Sequence, residues 1–350
     1  MQDSTPFIDH RSQAQSHIHP YPDRLHVVTA IANPQRFRSR YELFWAFEKR
    51  VRDSGAILHV AEVAFGGRPF EITEAGNPNH LQLQTGFELW HKENALNLLI
   101  ANVLRHDPTA GYFAWVDADV QFARPDWAQE TLHQLQHYHV VQMFSMCQDL
   151  SASFDVLAYD DGGEQLPGMV YQSVHQGMYG KYAAMHPDDP YCRGLGKIPA
   201  KGMKSHPGHS GYAWAATRHA LDTLGGLIDW SVCGANDHHM ARGLLGNILE
   251  SVNGASSPAF KESLRLWGER AETLKPKVGF VPGLVTHFWH GPKKNRQYLT
   301  RWKILVDSQF DPALDIKRDA QGLYQLTGRN KKLMADLMAY FRQRNEDSTE

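Results

Sequence analysis

Between Gly111 and Phe122 the chain reads GYFAWVDADVQF. A run of bulky apolar residues leads straight into two carboxylates, Asp117 and Asp119, one residue apart. Side chains at i and i+2 of a strand point to the same face, so this spacing lets the two acids converge on one point. The carboxyl end of a strand is where open α/β sheets bind their ligands. Paired oxygen donors there suit Mg²⁺ or Mn²⁺. The ordinary alternative is a solvated turn, since acids are common after strands, and a bare Asp-x-Asp does not separate the two readings.

The rest of the chain must supply a sheet to hold that strand end. LHVVTAIA (Leu25 to Ala32) is a β-branched run stopped by Asn33-Pro34 and reads as a buried strand opening into a loop. In RSRYELFWAFEKRVRDSG, Leu43, Phe44, Phe47 and Val51 fall at helical spacing, and Gly55 closes the helix. AILHVAEVAF is a second strand, and strand, helix and strand within about 40 residues make a βαβ unit with parallel pairing. HKENALNLLIANVLRHD places Leu96, Leu99, Ile100, Val103 and Leu104 on one helical face ahead of the strand YFAWV. Beyond Pro125 the pattern predicts a helix to Tyr138, then a strand VVQMFSM. Later come a strand and short helix in GYAWAATRHALDTLGG, a helix over Asn236 to Leu245, a strand in KVGFVPGLVTHFWHG and a helical tail from Leu299. The alternation predicts an α/β fold with a mostly parallel central sheet flanked by helices. Residues 1–24 are polar and expected to be flexible. Residues 25–300 form the domain, residues 148–210 a long loop of the kind used as lids or binding loops, and residues 301–350 a helical extension.

Composition narrows the function classes. Of 350 residues, 42% are hydrophobic and 21% charged, the mix of a globular protein. The formal net charge of −2 gives no global pull toward nucleic acid or anionic membrane. Cys147, Cys192 and Cys233 form no CxxC and no disulfide framework, which fits a reducing compartment. The first residues lack an apolar signal region, and no stretch of about 18 apolar residues is present. The expectation is a cytoplasmic protein with no membrane partner.

VDADV after a buried strand resembles the metal motif of GT-A type glycosyltransferases, and four further stretches resemble, in order, the β-1,4-galactosyltransferase pattern. IANPQRFR takes the place of the first-strand loop, and HKENALN that of a helix start, with Lys92 where an arginine is usual. GYAWAATRHALDTLGGLIDWSVCGANDHHMAR resembles the long segment that ends in glycine, an acidic pair and a helix. HFWHGPKKN resembles the second metal motif. The matched region runs from about residue 25 to about residue 300.

The resemblance implies transfer of a hexose from a nucleotide-sugar donor, a UDP-sugar, with Mn²⁺ or Mg²⁺ as cofactor. It makes Asp119 a direct metal ligand and Asp117 a contact to ribose or metal. It makes His290 a ligand and puts His287 where methionine is frequent. On a straight strand residues i and i+3 face opposite ways. A bend at Gly291-Pro292 would let both histidines reach one ion; otherwise His287 is a half-buried ring beside Phe288 and Trp289. Thr29, Ala30, Arg36, Arg38 and Lys92 would meet the nucleotide. Lys293 and Lys294, next to the metal motif, would meet the diphosphate at charge-assisted strength. Arg301 and Lys303 read better as a solvated basic helix face.

Asp237 is the expected base, in the first turn of a helix capped by Asn236. The plain alternative is an acid favoured by the helix dipole. The pattern expects Glu-Asp, and Asn236 cannot act as a base, so the task would fall on Asp237 alone. A carboxylate base without a covalent intermediate implies single displacement with inversion. Trp214, Trp230 and Trp289 offer flat faces for a sugar, although tryptophan is more often core. The acceptor is open: a glycan, a protein or a hydroxymethylated DNA base. Lys181, Arg193, Lys197, Lys201 and Lys204 in the long loop could contact an anionic acceptor, in which case binding would be salt-sensitive. Two other classes use similar residues: a metal-dependent phosphoesterase or other hydrolase, and a non-catalytic nucleotide-sugar binding protein. The histidines come about 170 residues after the acids, an order that favours the transferase.

Overall fold

The β-branched run at Leu25–Ala32 forms β1, and Arg38–Asp53 forms α1. Next come β2 (Ile57–Phe65), β3 (His80–Thr85), α2 (Lys92–His106) and β4 (Tyr112–Val116). They are followed by β5 (Val120–Phe122), α3 (Trp127–Leu135), β6 (Val140–Gln142) and β7 (Met146–Leu150). The short β8 (Val156–Leu157) and β9 (Tyr171–Gln172) precede β10 (Ala213–Thr217), α4 (Arg218–Leu224), α5 (Asn236–Leu244) and α6 (Pro258–Thr273). The remainder is β11 (Val278–Phe280), β12 (Leu284–His287), α7 (Trp302–Asp307), β13 (Ile316–Arg318), β14 (Tyr324–Leu326) and α8 (Lys331–Gln343). This computed structural model describes residues 21–153, 156–157, 171–172, 209–274, 278–297 and 300–348. Most of the expected flexible segment 1–24 and of the loop 148–210, with its five basic residues and Cys192, lies outside the described residues.

The central sheet has the order β11-β6-β10-β4-β1-β2-β3. All neighbours are parallel except β10, which runs antiparallel between β4 and β6. Helices cover both faces, which is why the strands read as nearly continuous apolar runs. Phe113 and Trp115 of β4 pack with Leu96, Leu99, Ile100 and Val103 of α2 in one core. Tyr112, Ala114 and Val116 pack with Phe44, Phe47 and Val51 of α1 in the other. Each fully buried side chain of this kind contributes about 1.5–3 kcal/mol.

Several expectations are corrected. VVQMFSM is not one strand. Its first part, β6, stays in the central sheet, while β7 leaves for a second sheet of order β5-β12-β7-β8. KVGFVPGLVTHFWHG divides in the same way, into β11 and β12. The two breaks are one event, because Ser145 and Met146 both donate their backbone N–H to Gly283 O. Pro282 lacks the N–H to continue the ladder, and Gly283 takes a φ of 150° that favours glycine. The ribbon keeps its register through the jog: Val278 pairs with Val140 before it and His287 with Asp149 after it. The tail is not wholly helical either. Between α7 and α8 it makes the antiparallel hairpin β13–β14, turned by Asp319 and Gly322. β3 and α6 are additional elements, and α3 stops at Leu135, short of Tyr138.

Candidate functional site

β4 ends at Val116, so Asp117 and Asp119 stand on the turn into β5 and not on the strand itself. The Asp117 N–H donates to Tyr212 O at 2.8 Å, which ties this turn to the start of β10. The two carboxylates then part company. Asp117 forms an ion pair with Lys92 Nζ at the start of α2. Asp119 faces two imidazoles, with Oδ1 3.6 Å from His287 Nε2 and Oδ2 3.2 Å from His290 Nδ1.

Both histidines reach Asp119 because β12 stops at His287, earlier than the expected bend at Gly291-Pro292. Phe288 N donates to Asp119 O at 2.8 Å, and the chain wraps this contact to swing His290 back. The turn is held from behind. Arg296 donates through Nη2 to the carbonyls of His290 and Gly291 at 3.1 and 3.2 Å. Residues 344–348 run beneath it. Glu346 accepts a two-pronged pair from Arg40 and a further bond from Arg344. Asp347 accepts the Arg38 and Ser39 N–H groups at the start of α1. Trp289 Nε1 donates to Ser348 O at 2.7 Å. Gly291, with φ of 88°, presses on the Asn345 carbonyl, where a Cβ would collide.

Asp119, His287 and His290 are a group whose ligand-type atoms all lie within 4.8 Å of one another. Burial disfavours charge on all three, but the contacts sort them. His290 and His287 hold the Asp119 carboxyl well below the usual range against burial. His287 is pushed up to about 9, because Asp119 and Asp149 outweigh its burial. His290 falls well below its ordinary value through burial and the Arg296 guanidinium, so His287 is the charged ring of the pair. Asp119 Oδ1 is buried without a hydrogen-bond partner. A carboxylate whose two oxygens each face an imidazole nitrogen, one of those oxygens buried with spare lone pairs, is a donor set that fits a divalent cation such as Mn²⁺.

Asp237 is the second acid under the influence of the Lys92 charge. α5 begins at Asn236, and the residue before it, Ala235, has φ of 66°. Asn236 is therefore not the cap. Its buried amide donates to Glu93 Oε2 at 2.7 Å and to Ser231 O. Asp237 Oδ1 accepts the His238 N–H at 2.9 Å, and Oδ2 lies 3.0 Å from where a Gly211 side chain would begin. Burial works against ionised Asp237, but Lys92, Arg301 and His209 hold its carboxyl below the ordinary range. Lys92 is itself held charged, against burial, by Asp117, Glu93 and Asp237. From Asp237 an aromatic row leads back to the histidines: His209 stacks on Tyr212 at 3.9 Å between centroids, and Tyr212 on His287 at 4.4 Å.

The other expected residues fall in varied places. Thr29 is buried and donates its hydroxyl to Val116 O at 2.8 Å, pinning β1 to the strand that leads into the acids. Ala30 packs half-buried against the core. Arg36 pairs with Glu71 and Arg38 with Glu42, both on the surface. The side chains of Lys293 and Lys294 lie outside the described set. Trp214 is corrected as a sugar platform: it is core, beside Trp115, and donates Nε1–H to Ser210 O. Trp230 packs partly buried against that core, and Trp289 lies at the strap formed by residues 344–348. Arg301 is corrected too. It is buried, with its guanidinium 5.8 Å over the Trp90 ring, whereas Lys303 is exposed. Sequence reasoning missed Asp149, His209, Tyr212 and Glu346, whose partners are set only by folding. Arg296, which the sequence offers as one of a phosphate-facing basic run with Lys293 and Lys294, is buried and spent on the His290 and Gly291 carbonyls.

The chain matches no protein-family model and no curated protein. Among solved structures it is similar to a nucleotide-diphospho-sugar transferase from Desulfovibrio desulfuricans, at 11% identity and a TM-score of 0.31, covering 92% of this chain and 98% of that one. It is also similar to 4-diphosphocytidyl-2C-methyl-D-erythritol synthase from Anaerococcus prevotii, at 10% identity and TM-score 0.30, covering 74% and 87%. A third is a glycosyltransferase involved in glycosylating the major capsid of PBCV-1, at 10% identity and TM-score 0.31, covering 78% and 96%. Overlaps this loose carry no argument about activity, and the functional reading rests on the site. Among the described residues no helix is long and apolar enough to cross a membrane.

Proposed function

We propose that the chain is a metal-dependent glycosyltransferase of GT-A type that moves a sugar from a nucleoside diphosphate donor, a UDP-sugar, to an acceptor hydroxyl with inversion. The observation that supports this best is the convergence of Asp119, His287 and His290, connected through His209 and Tyr212 to a second, half-buried carboxylate, Asp237. A Mn²⁺ or Mg²⁺ ion held by that triad supplies Lewis-acid neutralisation of the departing diphosphate. Lys92 holds Asp117 in place at the mouth of the β4 turn, where Asp117 contacts the ribose or the ion. Asp237, kept ionised by Lys92 and Arg301, accepts the proton of the acceptor hydroxyl as that oxygen bonds the anomeric carbon and the sugar–phosphate bond breaks. Lys293 and Lys294 follow His290 after Gly291-Pro292 and, on this reading, meet the diphosphate.

The acceptor is a glycan, a protein or a hydroxymethylated DNA base, met in the cytoplasm. A panel of nucleotide sugars, with Mn²⁺ or with chelator, tests the reading through thermal shift and released nucleotide. One donor should raise the melting temperature only with Mn²⁺ and release its nucleotide in the presence of acceptor. A protein that binds no nucleotide sugar in either condition is not this enzyme.

A further inference from the structure

We propose that Asp149, with Tyr212, is the positioning pair that fixes the ring of His287 for metal binding; this deepens the metal reading above and rests on it. The two residues come from separate elements. The ribbon of β7 and β12 keeps its register through the jog, so Asp149 and His287 are direct partners across parallel strands. Asp149 is 2% exposed. Its Oδ1 accepts from His287 Nδ1 at 2.8 Å and from the Tyr212 hydroxyl at 2.6 Å.

Both ring nitrogens face carboxylates, which only accept, but Asp149 Oδ1 is within hydrogen-bond distance at 2.8 Å and Asp119 Oδ1 stands off at 3.6 Å, so the hydrogen of a neutral His287 ring belongs on Nδ1. That leaves the lone pair on Nε2, the atom that faces Asp119. Tyr212 adds a second constraint: its ring lies on the imidazole face, with an interplanar angle of 28°. The edge of the imidazole is set by Asp149 and its plane by Tyr212. Tyr212 also has φ of 76°, a conformation costly for a bulky residue, and such strain collects at functional sites. Partners of this kind hold ligating histidines in one tautomer, and their loss weakens metal binding about 10–100-fold.

Two readouts test the pair, neither of them turnover. In metal-free protein, nitrogen NMR of labelled histidine at a pH where the ring is neutral should show His287 protonated at Nδ1, and Asp149→Asn should mix the tautomers. Titration calorimetry with Mn²⁺ should show affinity falling about 10–100-fold in Asp149→Asn, with partial recovery in Asp149→Glu. Tyr212→Phe, which keeps the stack and loses one hydrogen bond, should weaken Mn²⁺ about two- to tenfold and covers the case in which the first variant does not fold. A folded Asp149→Asn protein with unchanged tautomer and unchanged Mn²⁺ affinity overturns the positioning role and leaves the metal reading standing. A wild-type protein that takes up no Mn²⁺ overturns both.

Discussion

The two acids that follow β4 are one residue apart and live in different electrostatic worlds. Asp117 is answered by an ammonium, Lys92, which also serves Asp237. Asp119 is answered by two imidazoles. The lysine half is served by protein charges, since Lys92 pairs with Asp117 and its charge also acts on Asp237. The imidazole half is complete only while His287 carries a proton, and it is this proton that the proposed metal ion would replace. The contrast teaches that spacing in sequence does not make equivalent side chains, and that the partner's chemistry decides which acid is left open to the proposed ion.

The largest effect should come from the imidazole half. Asp119→Ala removes the carboxylate whose oxygens face the two rings, and Mn²⁺ binding by calorimetry should be lost while the far-UV circular dichroism stays native. Normal Mn²⁺ uptake by that variant would make the two acids interchangeable and end the comparison. Asp237→Asn addresses the lysine half: turnover should drop about 10²–10⁴-fold with donor affinity nearly unchanged in a binding assay. Lys92→Met should cost about 3–4 kcal/mol in denaturant unfolding, because it strands Asp117 and Asp237 without their cation. Lys92→Arg should recover most of that.

The smallest effect separates the halves by pH. Burial lowers the affinity of His287 for a proton, but Asp119 and Asp149 raise it to about 9, above the ordinary 6.5. Charged His287 therefore stabilises the metal-free fold fully below pH 6.5, and that contribution fades as pH rises through about 9. Chemical denaturation across this window should lose at most about 3 kcal/mol from this group. Saturating Mn²⁺ should remove the dependence, since the metal displaces the same proton. A flat profile without metal would mean that His287 is not the charged ring.

Much of the scaffold was legible because its pattern is strong. Leu25–Ala32 and Tyr112–Val116 are apolar on both faces, and α1 and α2 carry clean helical stripes, so β1, β4 and their helices follow from periodicity. β3 was not, since HLQLQT alternates with polar residues at a sheet edge. α6 carries a start signal in sequence, Ser257 capping ahead of Pro258. The jog at Pro282-Gly283 was legible as punctuation, but its matching break at Ser145 has no local mark. At the site, Asp119, His287, His290, Lys92 and Asp237 were all named from sequence and gather in one region. Asp149 and Arg301 gave no signal, because a single acid in MCQDL and a lone arginine in a basic run acquire meaning only from strand register and from the Trp90 face.

The stretch from Arg344 to Ser348 threads under the loop that delivers His290, with Glu346 clasped between two guanidiniums and Asp347 capping α1. Geometry at the imidazole is thereby mortgaged to a short ribbon of backbone more than fifty positions downstream. Clipping that ribbon with a protease would leave both hydrophobic cores whole yet slacken the far wall of the pocket around Asp119, a loss of grip with no loss of architecture.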